Sequence, residues 1–300
     1  MGWTSQDDLI TQLTVNGKGD TVTMTKTLNS AGTAGGWTLL SPHNGWPIAS
    51  TFAGTDLNYV ATDDTWSQGT IYHGGNVSPA TKHFLTAGGC VVAAAGAPWY
   101  IMAIDLVGYV PLTTTNVSTT GAKTVTMTPL AATASTGDRY ANGAGLRMFV
   151  ASSVVAMGAN APTCIVNYTN SAGTTGRATT TFTSTASLGV GQLLNSGAAA
   201  NKYNPFLPLA AGDVGVKDIE TLTWAGTAHA SGSVIIGLCK PLWCLPLPAT
   251  GLYSKMDLVN AMPSMRQIKD GANIQFLLFQ TGATTSGGTV NIDFDYGYGG

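Results

Sequence analysis

Ser233-Val-Ile-Ile-Gly-Leu-Cys-Lys240 is an apolar, β-branched run of strand length, and together with the prolines after it this run decides the reading of the fold. Such unbroken apolarity is expected of a strand covered on both faces. Pro241, Pro246 and Pro248 come next. Proline donates no ladder hydrogen bond, so the chain is expected to leave the sheet there. Ser254 then stands as an N-cap with Asp257 three residues on, and Leu258, Val259 and Met262 share one helical face. That pattern predicts a short helix over 254–262, stopped by Pro263. Asp270-Gly271 turns the chain into Ile274-Gln-Phe-Leu-Leu-Phe279, a second core strand. The block holds no catalytic motif and reads as a packing module.

Working outward, the same strand signal recurs. Val290-Asn-Ile-Asp-Phe-Asp-Tyr296 is expected to pair with residues 274–279 as a final hairpin across Gly282 and Gly288. Val216-Lys-Asp-Ile-Glu-Thr-Leu-Thr-Trp224 alternates, with Val216, Glu220 and Leu222 on one face and Ile219 on the other. Residues 163–169 and 177–183 flank a turn-rich loop as another hairpin, and 146–154 form one more strand. Cys90-Val-Val-Ala and the run 100–109 are core strands joined by a turn at Gly96-Ala-Pro98. Thr21-Val-Thr-Met-Thr25 points Val22 and Met24 inward and its threonines to water, and 124–128 repeats that pentapeptide. An N-terminal helix is expected, capped by Ser5, with Leu9, Ile10 and Leu13 on one face and Asn16-Gly17 ending it. Its pattern matches 254–262 position for position, as two helices obeying one capping rule would.

About ten short strands between turn signals indicate an all-β fold, a β-sandwich or jelly-roll-like architecture. The short helices would sit near the N-terminus and around 254–262. Residues 1–80 read as an N-terminal arm and loop-rich region and 81–300 as the sandwich. A weak lobe boundary falls near 130–144, where Ala, Ser, Thr and Gly dominate.

Charged residues make up 9% of the 300-residue chain, against a usual value of about 25%. With 44% hydrophobic residues the chain lacks the signature of disorder. Its surface must therefore be clothed in Thr, Ser, Asn and Gly, which suits a subunit packed in a symmetric assembly. A net charge of −2 and the absence of Lys/Arg runs argue against a nucleic-acid partner. Residues 84–104 carry no charge, but Gly88, Gly89, Gly96 and Pro98 cut them to strand length, so no membrane span is expected. The opening Met1-Gly-Trp-Thr-Ser-Gln-Asp-Asp has no signal-peptide pattern, so synthesis in the cytoplasm is expected. Cys90, Cys164, Cys239 and Cys244 read as buried free thiols.

No catalytic, cofactor or metal residue is assigned. His43, His73, His83 and His229 are too sparse for a metal cluster, and Cys239 with Cys244 lacks a second pair. Gly189-Val-Gly191 lacks the third glycine of a phosphate loop. Asp293 and Asp295 share a strand face, either as a Ca²⁺ or acid pair or, more economically, as the solvated face of an edge strand. Asp63 and Asp64 are adjacent and would point to opposite sides of an extended chain. Trp37, Trp46, Tyr59, Trp66 and Tyr72 lie among Gly, Pro, Asn and Asp. Large aromatics in such a setting need burial or a partner, which makes them candidate interaction residues.

Several blocks carry a family resemblance. They are Gly212-Asp-Val-Gly-Val-Lys-Asp-Ile-Glu220, Gly237-Leu-Cys-Lys-Pro-Leu242, Leu245-Pro-Leu-Pro248, Asp257-Leu-Val-Asn260, Pro263-Ser264 and Asp270-Gly-Ala272. Upstream, Thr33-Ala-Gly-Gly-Trp-Thr-Leu-Leu40, Asn44-Gly-Trp-Pro47, and Ile71-Tyr-His-Gly-Gly-Asn-Val-Ser-Pro79 with Lys82-His83 join them. Together they resemble structural virion proteins of tailed bacteriophages, in scattered blocks along most of the chain. The resemblance implies a non-enzymatic virion component with no catalytic residues to carry over. The expectation is a capsid decoration or cement subunit, clamping neighbouring copies of the major capsid protein. It would meet identical copies of itself as a homotrimer, since shell lattices offer threefold positions. A tail or fibre component binding host glycan through the aromatics between Trp37 and Tyr72 is the alternative, and a jelly-roll main shell subunit a second one.

Overall fold

The computed structural model describes residues 5–50, 52, 71, 73–93, 98–124, 140–195, 204–260, 266–283 and 286–299. In chain order they form α1 (Gln6–Thr14), β1 (Gly19–Thr27), β2 (Gly36–Leu39), β3 (Asn44–Trp46), β4 (Thr81–Ala93) and β5 (Trp99–Leu112). The short α2 (Thr114–Val117), β6 (Gly121–Thr124), β7 (Arg147–Ser152), β8 (Thr163–Asn170), β9 (Arg177–Ala178) and β10 (Phe182–Thr183) follow. Last come β11 (Val216–Ala225), β12 (Val234–Leu247), β13 (Ser254–Asp257), β14 (Gln267–Ile268), β15 (Ile274–Gln280) and β16 (Thr289–Gly299).

The strands build three antiparallel sheets. A central five-stranded sheet runs β2-β15-β5-β12-β7. A six-stranded sheet runs β13-β4-β16-β1-β3, with β14 also on β4. A second five-stranded sheet runs β10-β8-β11-β6, with β9 on β8. The fold is all-β, and each flanking sheet forms a sandwich with the central one.

The central sheet closes on itself. On one side Leu39 N donates to Gly191 O at 2.7 Å and Leu193 N to Trp37 O at 2.9 Å, on β2. On the other, Ser152 N donates to Gln192 O, Gly191 N to Ser152 O and Leu194 N to Val150 O, each at 2.9 Å, on β7. Residues 191–194 thus span the two edge strands and leave a barrel. Its interior holds Trp37, Leu39, Leu106, Phe149, Leu193 and Phe279, among others. A Cβ built at Gly237 would stand 2.2 Å from Phe149 Cζ, so only glycine leaves room for that ring.

Both flanking sheets pack on the barrel's outside. Val234, Ile236 and Leu238 meet Val166, Tyr168, Leu222 and Trp224 of the second five-stranded sheet. Further along the same strand, Trp243, Leu245 and Leu247 meet Phe84, Ile292 and Phe294 of the six-stranded sheet. The barrel interior takes Ile235 and Cys239 from the opposite face. That division explains the apolar run at 233–240, because β12 is covered on both sides.

Several sequence expectations are corrected. β12 does not end at Pro241 but runs through Pro241 and Pro246 to Leu247. β7 pairs only with residues up to Cys239, so beyond it one edge of β12 is open, and an edge tolerates a missing N–H. Pro241 itself lies at a register shift. No helix starts at Ser254. Ser254–Asp257 is β13, paired with β4, and Asp257 Oδ1 accepts from Val259 N at 2.9 Å in a turn. Ladder pairing with β4 overrides the local capping pattern. The N-terminal helix forms as expected, with Ser5 Oγ accepting from Asp8 N at 3.0 Å.

The final hairpin is not formed either, since β15 lies in the central sheet and β16 between β4 and β1 in the six-stranded one. Ile219 joins Val216 and Leu222 in one core because two register shifts in β11 rotate it inward. The hairpin of 163–169 with 177–183 is present, as β9 and β10 on β8. From residues 1–80, β1, β2 and β3 enter the sheets. Of the thiols, all free, Cys164 and Cys239 are buried, Cys90 is half-buried and Cys244 exposed, which corrects the expectation that all four are covered. Much of 130–144, the turn at Gly96 and the repeat beyond Thr124 lie outside the described residues. Among the described residues no helix is long and apolar enough to cross a membrane.

Gly237→Ala should cost about 1–3 kcal/mol, the usual range for overpacking a core. Urea unfolding measures it, and Phe149→Leu in the same chain should recover part of the loss.

Candidate functional site

Alternation along β1 sends Thr21, Thr23 and Thr25 to the outer face of the six-stranded sheet while Val22 and Met24 enter the core. Directly opposite on β16 stand Asp295, Asp293 and Asn291. Beyond them on β4 are Thr86, Gly88 and Cys90, and Lys255 of β13 faces Gly88. On the other flank Trp46 of β3 faces Thr25. The result is a flat face of hydroxyls, carboxylates and an amide, with an exposed aromatic at either side. Trp46 is 53% and Tyr253 48% exposed.

The polar groups hold one another. Thr21 Oγ1 donates to Asp295 Oδ1 at 2.6 Å, and Thr86 Oγ1 donates to Asp295 Oδ2. Lys255 Nζ lies 3.5 Å from Asp295 Oδ2. Thr25 Oγ1 donates to Asn291 Oδ1 at 2.8 Å. Burial pushes the Asp295 carboxyl up, but these two hydroxyls and the Lys255 ammonium outweigh it and hold it below the usual carboxylate range. Tyr253 OH donates to Asp293 Oδ2 at 2.7 Å. Burial, then the Asp293 carboxylate, pushes that phenol up to about 12. Gly88 makes room for Tyr253, since a Cβ there would lie 2.0 Å from the phenol oxygen.

Asp293 and Asp295 therefore share a face, as alternation required, but on an interior strand rather than an edge. Their partners are hydroxyls and a lysine. Among the described residues no group of three or more His, Cys, Asp and Glu is placed to hold a metal ion. Of the aromatics, Trp37 lies inside the barrel, 5.2 Å from the Phe279 ring, and is no platform for a ligand. Tyr59, Trp66, Tyr72, Asp63 and Asp64 lie outside the described residues. Among the described residues, Trp46 is the one aromatic of that set on the surface.

Two buried lysines hold the loops beside this face, and sequence reasoning missed both. Lys26 continues the inward parity of Val22 and Met24, and that parity was the available signal. Its Nζ donates to His43 O at 3.1 Å and Pro47 O at 2.6 Å, the residues bracketing β3, and so fixes Trp46. Burial lowers its pKa to about 8. His43 Nδ1 accepts from Asn29 N at 3.1 Å, which makes it the unprotonated nitrogen. Lys82 Nζ donates to His73 Nδ1 at 2.9 Å, to His73 O at 2.7 Å and to Gly75 O. His73 Nε2–H donates to Ala272 O at 2.8 Å. Both imidazoles are thus held neutral. Burial, then the adjacent lysine, lowers each pKa to about 4. His229 is buried 2.7 Å from Ser184 Oγ and edge-on to Trp224, and His83 is half-buried on β4.

No protein-family model matches the chain, and no curated protein matches it. Among solved structures it is similar to that of infectious bursal disease virus Gt strain, at 10% identity over 93% of this chain and 80% of that one, with a TM-score of 0.19. T=1 particles derived from infectious bursal virus give 10% identity, 96% and 82% coverage and a TM-score of 0.19. The VP2 subviral particle of infectious bursal disease virus gives 9%, 93% and 80%, again at 0.19. Likeness at that TM-score carries no weight for fold or function.

The histidines set an acid limit. Each binds a proton more readily unfolded, near 6.5, than folded, near 4. Stability they support is present above pH 6.5 and drains away as pH falls towards 4, by about 3 kcal/mol per histidine at most. Urea titrations between pH 7 and 4 should show this fall, and His43→Gln should flatten it.

Proposed function

We propose that the chain is a structural subunit of a tailed-phage virion, decorating the capsid and cementing neighbouring shell subunits without turning over a substrate. Its partners in this reading are the major capsid protein and identical copies of itself, arranged as a homotrimer. The carrying observation is the exterior. In a chain already poor in charge, Lys26, Lys82 and Asp105 are wholly buried, which leaves still fewer charges outside. Large apolar side chains meanwhile stand exposed at Ile10, Val15, Ile48, Val154, Val214 and Leu252. Such a surface has little charge repulsion to keep it solitary. Apolar area covered by a neighbour contributes about 25 cal/mol per Å², and multivalent attachment multiplies modest contacts. The sequence blocks that resemble tailed-phage virion proteins support the same reading.

Purified protein should bind assembled shells of its own phage and raise their disruption temperature. Failure to bind shells, with the protein found only on tails, would refute the decoration role.

One observation favours the tail or fibre reading. Trp46 stands exposed beside the hydroxyl-rich face of Thr21, Thr23 and Thr25, and an indole can stack on the C–H face of a sugar while those groups hydrogen-bond its hydroxyls. On a glycan array, binding by the native chain should vanish in Trp46→Ala at unchanged melting temperature. An array on which the native chain binds nothing removes this reading.

A further inference from the structure

At one end the barrel's packed interior gives way to a cavity. Ile235 and Ala151 lie inside the barrel, and Pro111 is the cross-strand partner of Ile235. Alternation turns the residues two places further along β12, β7 and β5 to the same inward side. They are Ser233, Ser153 and Thr113. The ladder carries on to them, since Ser153 N donates to Ser233 O at 2.8 Å. Three small hydroxyl side chains thus follow the larger ones of the interior and leave the mouth unfilled. Phe52 forms the floor, part of the interior cluster and edge-on to Tyr109 with ring centroids 5.0 Å apart. It sits at φ +43°, where a residue with a bulky side chain is seldom found. Such a conformation persists where the surroundings dictate it.

The cavity has a volume of about 310 Å³. That is the lower end of the range for small-molecule sites, and barrel mouths are one of the places where they occur. Phe52, Pro111, Leu112, Val154 and Val155 give it an apolar lining, and none of the described residues around it is charged. Val154 and Val155 remain 55% and 45% exposed, so the rim holds apolar surface in water that an occupant would cover.

One lining hydroxyl sets a polar requirement. Ser233 Oγ accepts from Ser153 Oγ at 2.9 Å, from Val154 N at 3.1 Å and from Val155 N at 2.9 Å. A serine oxygen has two lone pairs and one hydrogen. Three donors occupy the lone pairs, so the hydrogen is what Ser233 has left to offer, and it meets no acceptor among the described residues. The same three bonds fix the turn at 153–155 and hold both valines at the rim.

We propose that this mouth binds a small uncharged molecule, an apolar ring or short chain that carries a carbonyl or ether oxygen. Its apolar body rests on Phe52 between Pro111 and the two valines, and its oxygen accepts from Ser233 Oγ. A charged ligand is disfavoured, because no charge in the lining replaces the water it would lose. The inference goes beyond the virion reading, which stands even if the cavity binds nothing.

Methyl NMR of the full chain, titrated with cyclohexanone or with cyclohexanecarboxylate at constant ionic strength, tests it. The ketone should shift the Val154 and Val155 methyl signals saturably, and the carboxylate, the same ring with a charge, should not at equal concentration. Ser233→Ala should weaken ketone binding about three- to tenfold, the scale of one neutral hydrogen bond. Val154→Asp, on an exposed residue, should abolish it as read at Val155, and serves should Ser233→Ala loosen the turn. No saturable shift with the ketone, an equal response to the carboxylate, or binding unchanged in both variants overturns the proposal.

Discussion

The backbone hydrogen bonds that residues 191–194 make to β2 on one side and β7 on the other are the constraint on which the rest depends. An open sheet would present two unpaired edges and one loosely covered face. Closure pairs the free edges of β2 and β7 and gives β2, β15, β5, β12 and β7 a shared interior. The outside of that barrel then becomes a rigid base. One stretch of β12 seats the second five-stranded sheet and the next stretch seats the six-stranded sheet. The outer polar face and the loop that carries Trp46 are both positioned by that seating.

The chain handles its few charges unusually. Lys26 and Lys82 are wholly buried and donate to backbone carbonyls, and Lys82 also to a histidine. A buried ammonium is tolerable only when its protons are placed, and the loops at His43 and His73 are folded around that need. Lysine therefore acts as a loop clamp, and the exterior is left to Thr, Asn and apolar side chains. Asp105 follows the same economy, taking its donors from Tyr140 and Asn273.

Strand existence was legible in the sequence, whereas strand partnership was not. β-branched runs and two-residue alternation located β1, β7, β11, β12, β15 and β16 because those signals are local. Which strand lies beside which is settled by packing far along the chain. Residues 274–280 and 289–299 look like neighbours across a Gly-rich turn, yet they belong to different layers. Ser254 and Asp257 satisfy a capping rule, but the ladder on β4 claims them. Trp37 and Trp46 sit in similar Gly-rich surroundings, and only their ladder partners send one into the barrel and leave the other in water. Bulges add a further blind spot, since two register shifts in β11, one on each side of Ile219, bring it onto the face of Val216 and Leu222. The candidate site was half visible. Asp293, Asp295 and the threonines of β1 could be read from alternation, while Tyr253 and the clamping role of Lys26 needed tertiary structure.

Native-state hydrogen exchange of the amides of Leu39, Ser152, Leu193 and Leu194 tests the closure most directly. If residues 191–194 seal the barrel, these amides exchange only through global unfolding, as slowly as the central amides of β5 and β12. Rapid exchange at Leu193 and Leu194 while β5 and β12 stay protected would contradict it.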